Sequence, residues 1–201
     1  GQEIRDAISD PEGKVEFTEL APVNYTIKET KAPLGYLINP KEISFEIKSE
    51  IPGEIKTINL SEEDGAFINY QGAVSFKKIN EQGIGLEGAV FTLLDANNKV
   101  VKENVTSDID GSVSVDGLVP GDYKFIETSA VPGYILNSET IPFTIPEALR
   151  QADEELIITP DVAEFVNYQG TYGLTKTDEN GVGLVGAEFT ATNQETKEEH
   201  L

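Results

Sequence analysis

FINYQG at residues 67–72 returns as FVNYQG at residues 165–170, and this recurrence at a spacing of 98 positions decides how the rest of the chain is read. Under the same shift, YTIKET at Tyr25 falls on YKFIET at Tyr123, and GIGLEGAVFT at Gly83 falls on GVGLVGAEFT at Gly181. No gap is needed between these anchors. A fixed internal period marks a repeat architecture. Residues 73–168 make one complete module, residues 1–70 match its last three quarters, and residues 171–201 match its opening. The joins are Tyr70-Gln71-Gly72 and Tyr168-Gln169-Gly170, too short for a flexible tether, so successive modules are expected to stack as a stiff rod.

Within the complete module the pattern is β throughout. Alternating runs such as AVSFKKI, GAVFTLLD, GDYKFIET and AEFVNY are separated by Gly, Asn, Asp and Pro clusters. Such spacing predicts an all-β fold of antiparallel sandwiches, one complete module flanked by two partial ones. Asn97-Asn98 and Asp110-Gly111 read as tight hairpin turns, because Asn and Gly tolerate positive φ. The stretch from Pro146 to Glu155 reads as one short helix, with a proline at a plausible first position.

Composition narrows the function classes. The 201 residues carry 36 acidic against 15 basic side chains, a formal net charge of -21, which repels phosphate backbones and anionic lipid surfaces. Nucleic acid and membrane contact by this segment are therefore not expected. There is no cysteine, so a covalent staple has to use chemistry other than a disulfide. No apolar run approaches the roughly 20 residues of a membrane span, and GQEIRDAISD lacks the regions of a signal peptide, so the targeting signals of a secreted parent are expected outside this segment.

Alternation along the strands then singles out three polar residues. Val74, Phe76 and Lys78 share one face of AVSFKKI, while Ser75 and Lys77 share the other. The inward set of GDYKFIET is Tyr123, Phe125 and Glu127, and that of AEFVNY is Ala163, Phe165 and Asn167. The first copy repeats this with Tyr25, Ile27 and Glu29, then Gly65, Phe67 and Asn69, and the last copy with Tyr172, Leu174 and Lys176. A buried ion pair beside a hydrogen-bonded amide, or a lysine snorkelling to water, accounts for any one of them. Three at a repeated phase ask for more, since each unpaired buried polar group costs about 1–3 kcal/mol. Desolvation lowers a lysine pKa and raises a glutamate pKa, so burial favours a neutral amine beside a protonated acid. Such an amine can attack the carboxamide carbon of Asn167 while Glu127 polarises the carbonyl and shuttles protons, releasing ammonia and leaving an amide. Effective molarities of about 10⁵ to 10⁸ M let a slow aminolysis complete once without turnover.

With VSFKKIN at its start, IETSAVPGY in its middle and FVNYQG at its end, the complete module resembles the collagen-adhesin B-type (CnaB) domains of Gram-positive adhesins and pilins, an Ig-like and transthyretin-like scaffold. The first copy carries the related string IKETKAPLGY. The resemblance implies that Lys78 and Asn167 form the bonded pair and Glu127 is the catalytic acid, with Lys77 as the rival lysine that alternation argues against. It further implies an extracellular, cell-wall-anchored stalk repeat. The alternative on the same scaffold is an adhesin module gripping a host protein or glycan, which a contiguous exposed apolar patch would favour.

The first copy keeps Glu29 and Asn69 without a lysine strand, and the last keeps Lys176 without partners. Head-to-tail complementation between copies of the chain would rebuild a module, with its break in a hairpin near residues 99–103, and Lys176 of one copy would then bond to Asn69 of the next. Other motifs carry less. SDIDG and TDENG lack a calcium loop's closing glutamate and read as acidic turns. His200, the single histidine, lies one residue from the end and centres no Ser-His-Asp relay. Tyr36 and Tyr134 read as loop packing rather than a sugar site. No cofactor, metal or turnover enzyme is called for.

Overall fold

The computed structural model describes residues 6–48, 65–192 and 199–200, so the opening of the first copy and much of the close of the last lie outside it. The chain divides into two compact units, Gly1–Tyr168 and Gln169–Leu201.

In the first unit, β1 (Asn24–Lys28) and β2 (Glu42–Glu46) form an antiparallel ladder with Tyr25 opposite Phe45 and Ile27 opposite Ile43. Gly72–Asn80 is β3, and the chain continues through β4 (Val90–Asp95), β5 (Val100–Thr106), β6 (Ser112–Leu118), β7 (Gly121–Ser129), β8 (Thr140–Ile145), β9 (Leu156–Ile158) and β10 (Glu164–Asn167). These strands make a β-sandwich. One sheet runs β5-β4-β7-β8 and is antiparallel throughout; the other is built around β3.

The β3 sheet is mixed rather than antiparallel. β6 pairs with one edge of β3 in antiparallel sense, while β9 and β10 follow one another in parallel along the other edge, Leu156 beside Gly72 and Phe165 beside Lys78. The strands after β8 therefore return across the sandwich before pairing, which alternation within a strand cannot reveal. The inner faces bury Val74, Phe76, Phe91, Leu93, Val113, Phe125, Ile141 and Phe165 among others, with the Phe76, Phe91, Phe125 and Phe165 rings meeting edge-on or tilted. Both turns expected from sequence carry positive φ, at Asn98 (61°) and Gly111 (78°).

The stretch 146–155 forms no helix. Its backbone instead pairs with the first copy: Ile38 N–H donates to Glu147 O, and Leu149 N–H donates to Ile38 O, both at 2.9 Å, as a parallel bridge of Ile38 with Ala148. Leu149 is buried, and Asp153 turns the chain at φ 56°. A short segment with weak helical preference gives way to backbone pairing and a buried anchor.

In the second unit, Thr177 bridges Gly183, and Leu184 N–H donates to Lys176 O at 2.9 Å. This repeats the turn in which Ile79 bridges Gly85 and Leu86 N–H donates to Lys78 O. Tyr172, Leu174 and Lys176 are exposed. β11 (Ala191–Thr192) pairs antiparallel with β12 (Glu199–His200).

Candidate functional site

Lys78 enters from β3 and Glu127 from β7, so the two come from opposite sheets and meet across the core. Lys78 is fully buried and Glu127 is 6 % exposed. Lys78 Nζ stands 3.9 Å from Glu127 Oε1, donates to Phe165 O at 2.8 Å, and lies 5.3 Å from the centre of the Phe165 ring. Burial is the main influence on the amine and pushes its pKa down to about 8, against the raising effect of the Glu127 carboxylate.

Asn167 completes the cluster from β10, also fully buried. The parallel register sets Phe165 beside Lys78, and Asn167 follows two residues on along the same face. Asn167 Nδ2 donates to Glu127 Oε2 at 2.9 Å and to Ile135 O. Facing two acceptors, that atom has to be the amide nitrogen, which fixes the orientation of the carboxamide. Glu127 thus addresses the nitrogen of Asn167, where carbonyl polarisation was expected. Asn167 Oδ1 and Glu127 Oε1 are buried without a hydrogen-bond partner among the described residues.

Lys77 points outward. Its Nζ lies 2.6 Å from Asp110 Oδ2 and 2.7 Å from Ser112 Oγ, and the hydrogen bonds that Asp110 accepts from Lys77 and then Ser112 hold its carboxyl well below the usual carboxylate range. The acidic strings form Asx turns: Ser112 N–H donates to Asp110 Oδ1, and Asn180 and Val182 N–H groups donate to Asp178 Oδ1.

Gly111 lets the turn close on β3. Lys78 N–H donates to Gly111 O at 2.7 Å, and a Cβ on Gly111, already at positive φ, would run into Lys78 O.

The alternation reading did not identify Asn137. Its backbone N–H donates to Glu127 Oε2 at 2.8 Å, its Nδ2 donates to Val166 O at 3.0 Å, and its Oδ1 accepts from Glu139 N–H at 2.9 Å. Asn137 thereby ties the glutamate to β10. The signal was present in the repeat, where GYILN at residues 133–137 falls on GYLIN at residues 35–39.

The first copy assembles the same contacts. Asn69 Nδ2 donates to Glu29 Oε2 at 2.8 Å and to Leu37 O at 2.9 Å, while Asn39 N–H donates to Glu29 Oε2 at 2.6 Å. Glu29 and Asn69 are half-buried, as are Tyr25, Ile27 and Phe67 on the same inward phase. Lys176 belongs to the second unit, where its Nζ donates to Thr177 O at 3.1 Å.

Over residues 1–61 and 72–155 the chain matches the family of SpaA prealbumin-like fold domains. It is 26 % identical over 178 residues to colossin-A of Dictyostelium discoideum, covering 79 % of this chain and 2 % of that protein. It is 30 % identical over 116 residues to the trypsin-resistant surface T6 protein of Streptococcus pyogenes, covering 57 % of this chain and 21 % of that one. The chain thus spans about a fifth of one relative and a fiftieth of the other. Among solved structures, the major pilin subunit BcpA of Bacillus cereus is 26 % identical with a TM-score of 0.40, covering 48 % of this chain and 28 % of that one.

Proposed function

The chain belongs to the SpaA prealbumin-like fold domain family, and from that membership we propose that it is a structural stalk repeat of a cell-surface, pilin-like protein, stapled by an amide that Lys78 and Asn167 form under Glu127. The observation that carries this reading is a fully buried lysine 3.9 Å from a carboxylate that is itself hydrogen-bonded to a fully buried carboxamide.

The step needs no outside reactant. The Lys78 ammonium gives one proton to Glu127, leaving a neutral amine and a carboxylic acid. The amine attacks Asn167 Cγ, forming the C–N bond, and the tetrahedral carbon collapses with loss of the original nitrogen. That nitrogen already hydrogen-bonds Glu127 Oε2, so the glutamate sits where the leaving group takes up its proton. Lys78 supplies the remaining proton, the nitrogen departs as ammonium, and Glu127 regains its starting charge. The result is one amide for one amine and one carboxamide, without turnover.

Such a link closes a loop of about 90 residues, and cross-links of that size stabilise by about 4–5 kcal/mol when treated as disulfides are. Because β3 opens the sandwich and β10 ends it, a pulling force would run through the amide and bypass most of the fold. Resistance to extension and proteases suits a surface stalk, and one relative is named trypsin-resistant.

Neighbouring copies of the same chain are the proposed partners. Glu29 and Asn69 already make the contact that Glu127 and Asn167 make, so a lysine strand from another copy, carrying Lys176, would complete that site head to tail.

Intact mass under denaturing conditions tests the reading. The chain should be lighter by one ammonia, and Glu127→Ala should have its full unmodified mass. Ladders of covalent multiples, lost in Lys176→Arg, are expected from joining between copies. An unmodified mass in the parent chain would refute the staple.

A further inference from the structure

The loop 146–155 lies against the Glu29–Asn69 site, and Asp153 is the residue that reaches it. Asp153 Oδ1 accepts from Asn39 Nδ2 at 2.7 Å and from Ile68 N–H at 3.2 Å, and Oδ2 stands 3.0 Å from Lys41 Nζ. Lys41 Nζ also donates to Ala66 O at 2.7 Å. Nearby, Leu37 packs fully buried into the sandwich core, and Tyr70 O–H donates to Asp153 O at 3.4 Å.

Asn39 connects this network to the candidate chemistry. It is fully buried, and every polar group of its side chain is engaged: Nδ2 donates to Ile68 O at 2.9 Å and to Asp153, and Oδ1 accepts from Lys41 N–H at 2.9 Å. An amide held on all sides has one orientation. Its backbone N–H is the group that meets Glu29 Oε2, the same oxygen that accepts from Asn69.

The corresponding Asn137 has no carboxylate on its amide among its described bonds; Nδ2 donates to Val166 O. Its site is instead covered by β3 and buried, whereas Glu29 and Asn69 are half-buried. The order that a covering strand gives to one site has to come from elsewhere at the other.

We infer that Asp153 is a positioning residue for the Glu29–Asn69 pair: acting through Asn39, the loop of one repeat fixes the glutamate and asparagine of the repeat before it. The packing stands independently of the amide chemistry; that the positioned pair is a reactive site rests on the function proposed above. In this chain, the complete repeat would thereby hold its predecessor's site in register and stiffen the joint between them.

The experiment is NMR on the full 201-residue chain, following backbone amide exchange at Asn39 and the side-chain amide signals of Asn39 and Asn69 in Asp153→Ala and Asp153→Asn. In Asp153→Ala, Asn39 N–H should exchange roughly tenfold faster, the scale of one lost buried hydrogen bond, and the Asn69 side-chain signals should shift. Asn137 and Asn167 should not change. Asp153→Asn keeps an acceptor for Asn39 and Ile68 and should restore the parent behaviour. Unchanged Asn39 and Asn69 in Asp153→Ala, equal changes at Asn137, or failure of Asp153→Asn to restore would each overturn the assignment. Intact mass of the same samples reports the Lys78–Asn167 amide separately, so failure of the staple and failure of the positioning role give different results.

Discussion

Two glutamate–asparagine contacts stand 98 residues apart, alike in their hydrogen bonds and unlike in their cover. At each, an asparagine Nδ2 meets glutamate Oε2 at 2.8 or 2.9 Å, and a second asparagine gives its backbone N–H to the same oxygen. Around Glu127 and Asn167, β3 brings Lys78 and the site is buried; around Glu29 and Asn69 the same groups stay half-buried. The glutamate–asparagine contact therefore belongs to the stretch between those two residues. What the lysine strand adds is an amine and the burial that lowers its pKa to about 8.

The largest effect expected from this difference is in stability. Asn167→Ala should lower the unfolding free energy of the sandwich in urea by about 4–5 kcal/mol through loss of the staple, beyond any packing loss. Asn69→Ala, which removes the matching residue at the open site, should leave the sandwich transition in place. Equal losses from the two substitutions would break the comparison.

A pH series on the unstapled Asn167→Ala protein sharpens it. Burial holds Lys78 at about 8 against 10.5 in an exposed chain. Below about pH 8 the amine is charged in both states; between 8 and 10.5 the unfolded chain holds a proton that the folded chain has released. The unfolded state then binds more protons, so stability should rise with pH across that window, by about 3 kcal/mol in all. The double variant Lys78→Met with Asn167→Ala should lose this rise. A fall in stability over the window would contradict the burial of the amine.

The smallest effect concerns two glycines at the same repeat position. Gly13 and Gly111 have φ of 80° and 78°, yet a Cβ on Gly13 meets nothing, while one on Gly111 strikes Lys78 O. Alanine at either should cost about 1 kcal/mol in backbone strain, and at Gly111 about 2 kcal/mol more for the clash with β3. Equal costs in urea denaturation would mean that the lysine strand does not bear on the turn.

Much of this candidate site is legible in the sequence. The 98-residue shift located the copies, and period-two alternation placed Lys78, Glu127 and Asn167 inward. Alternation reports a face and is silent about neighbours. It could not show that β10 lies parallel beside β3, nor that Glu127 would meet the nitrogen of Asn167 rather than its oxygen. Asn39 and Asn137 were missed because they sit in loops, where no strand phase applies, although GYLIN and GYILN align in the repeat. The expected helix at 146–155 failed for a non-local reason, since its backbone partner is Ile38, more than a hundred residues earlier.

Tandem mass spectrometry of the digested chain tests the central claim most directly. The account predicts a branched peptide in which Lys78 Nζ is joined to the side chain of Asn167 with loss of ammonia, absent from Glu127→Ala. Linear peptides carrying an unmodified Lys78 and an unmodified Asn167 from the parent chain would contradict it.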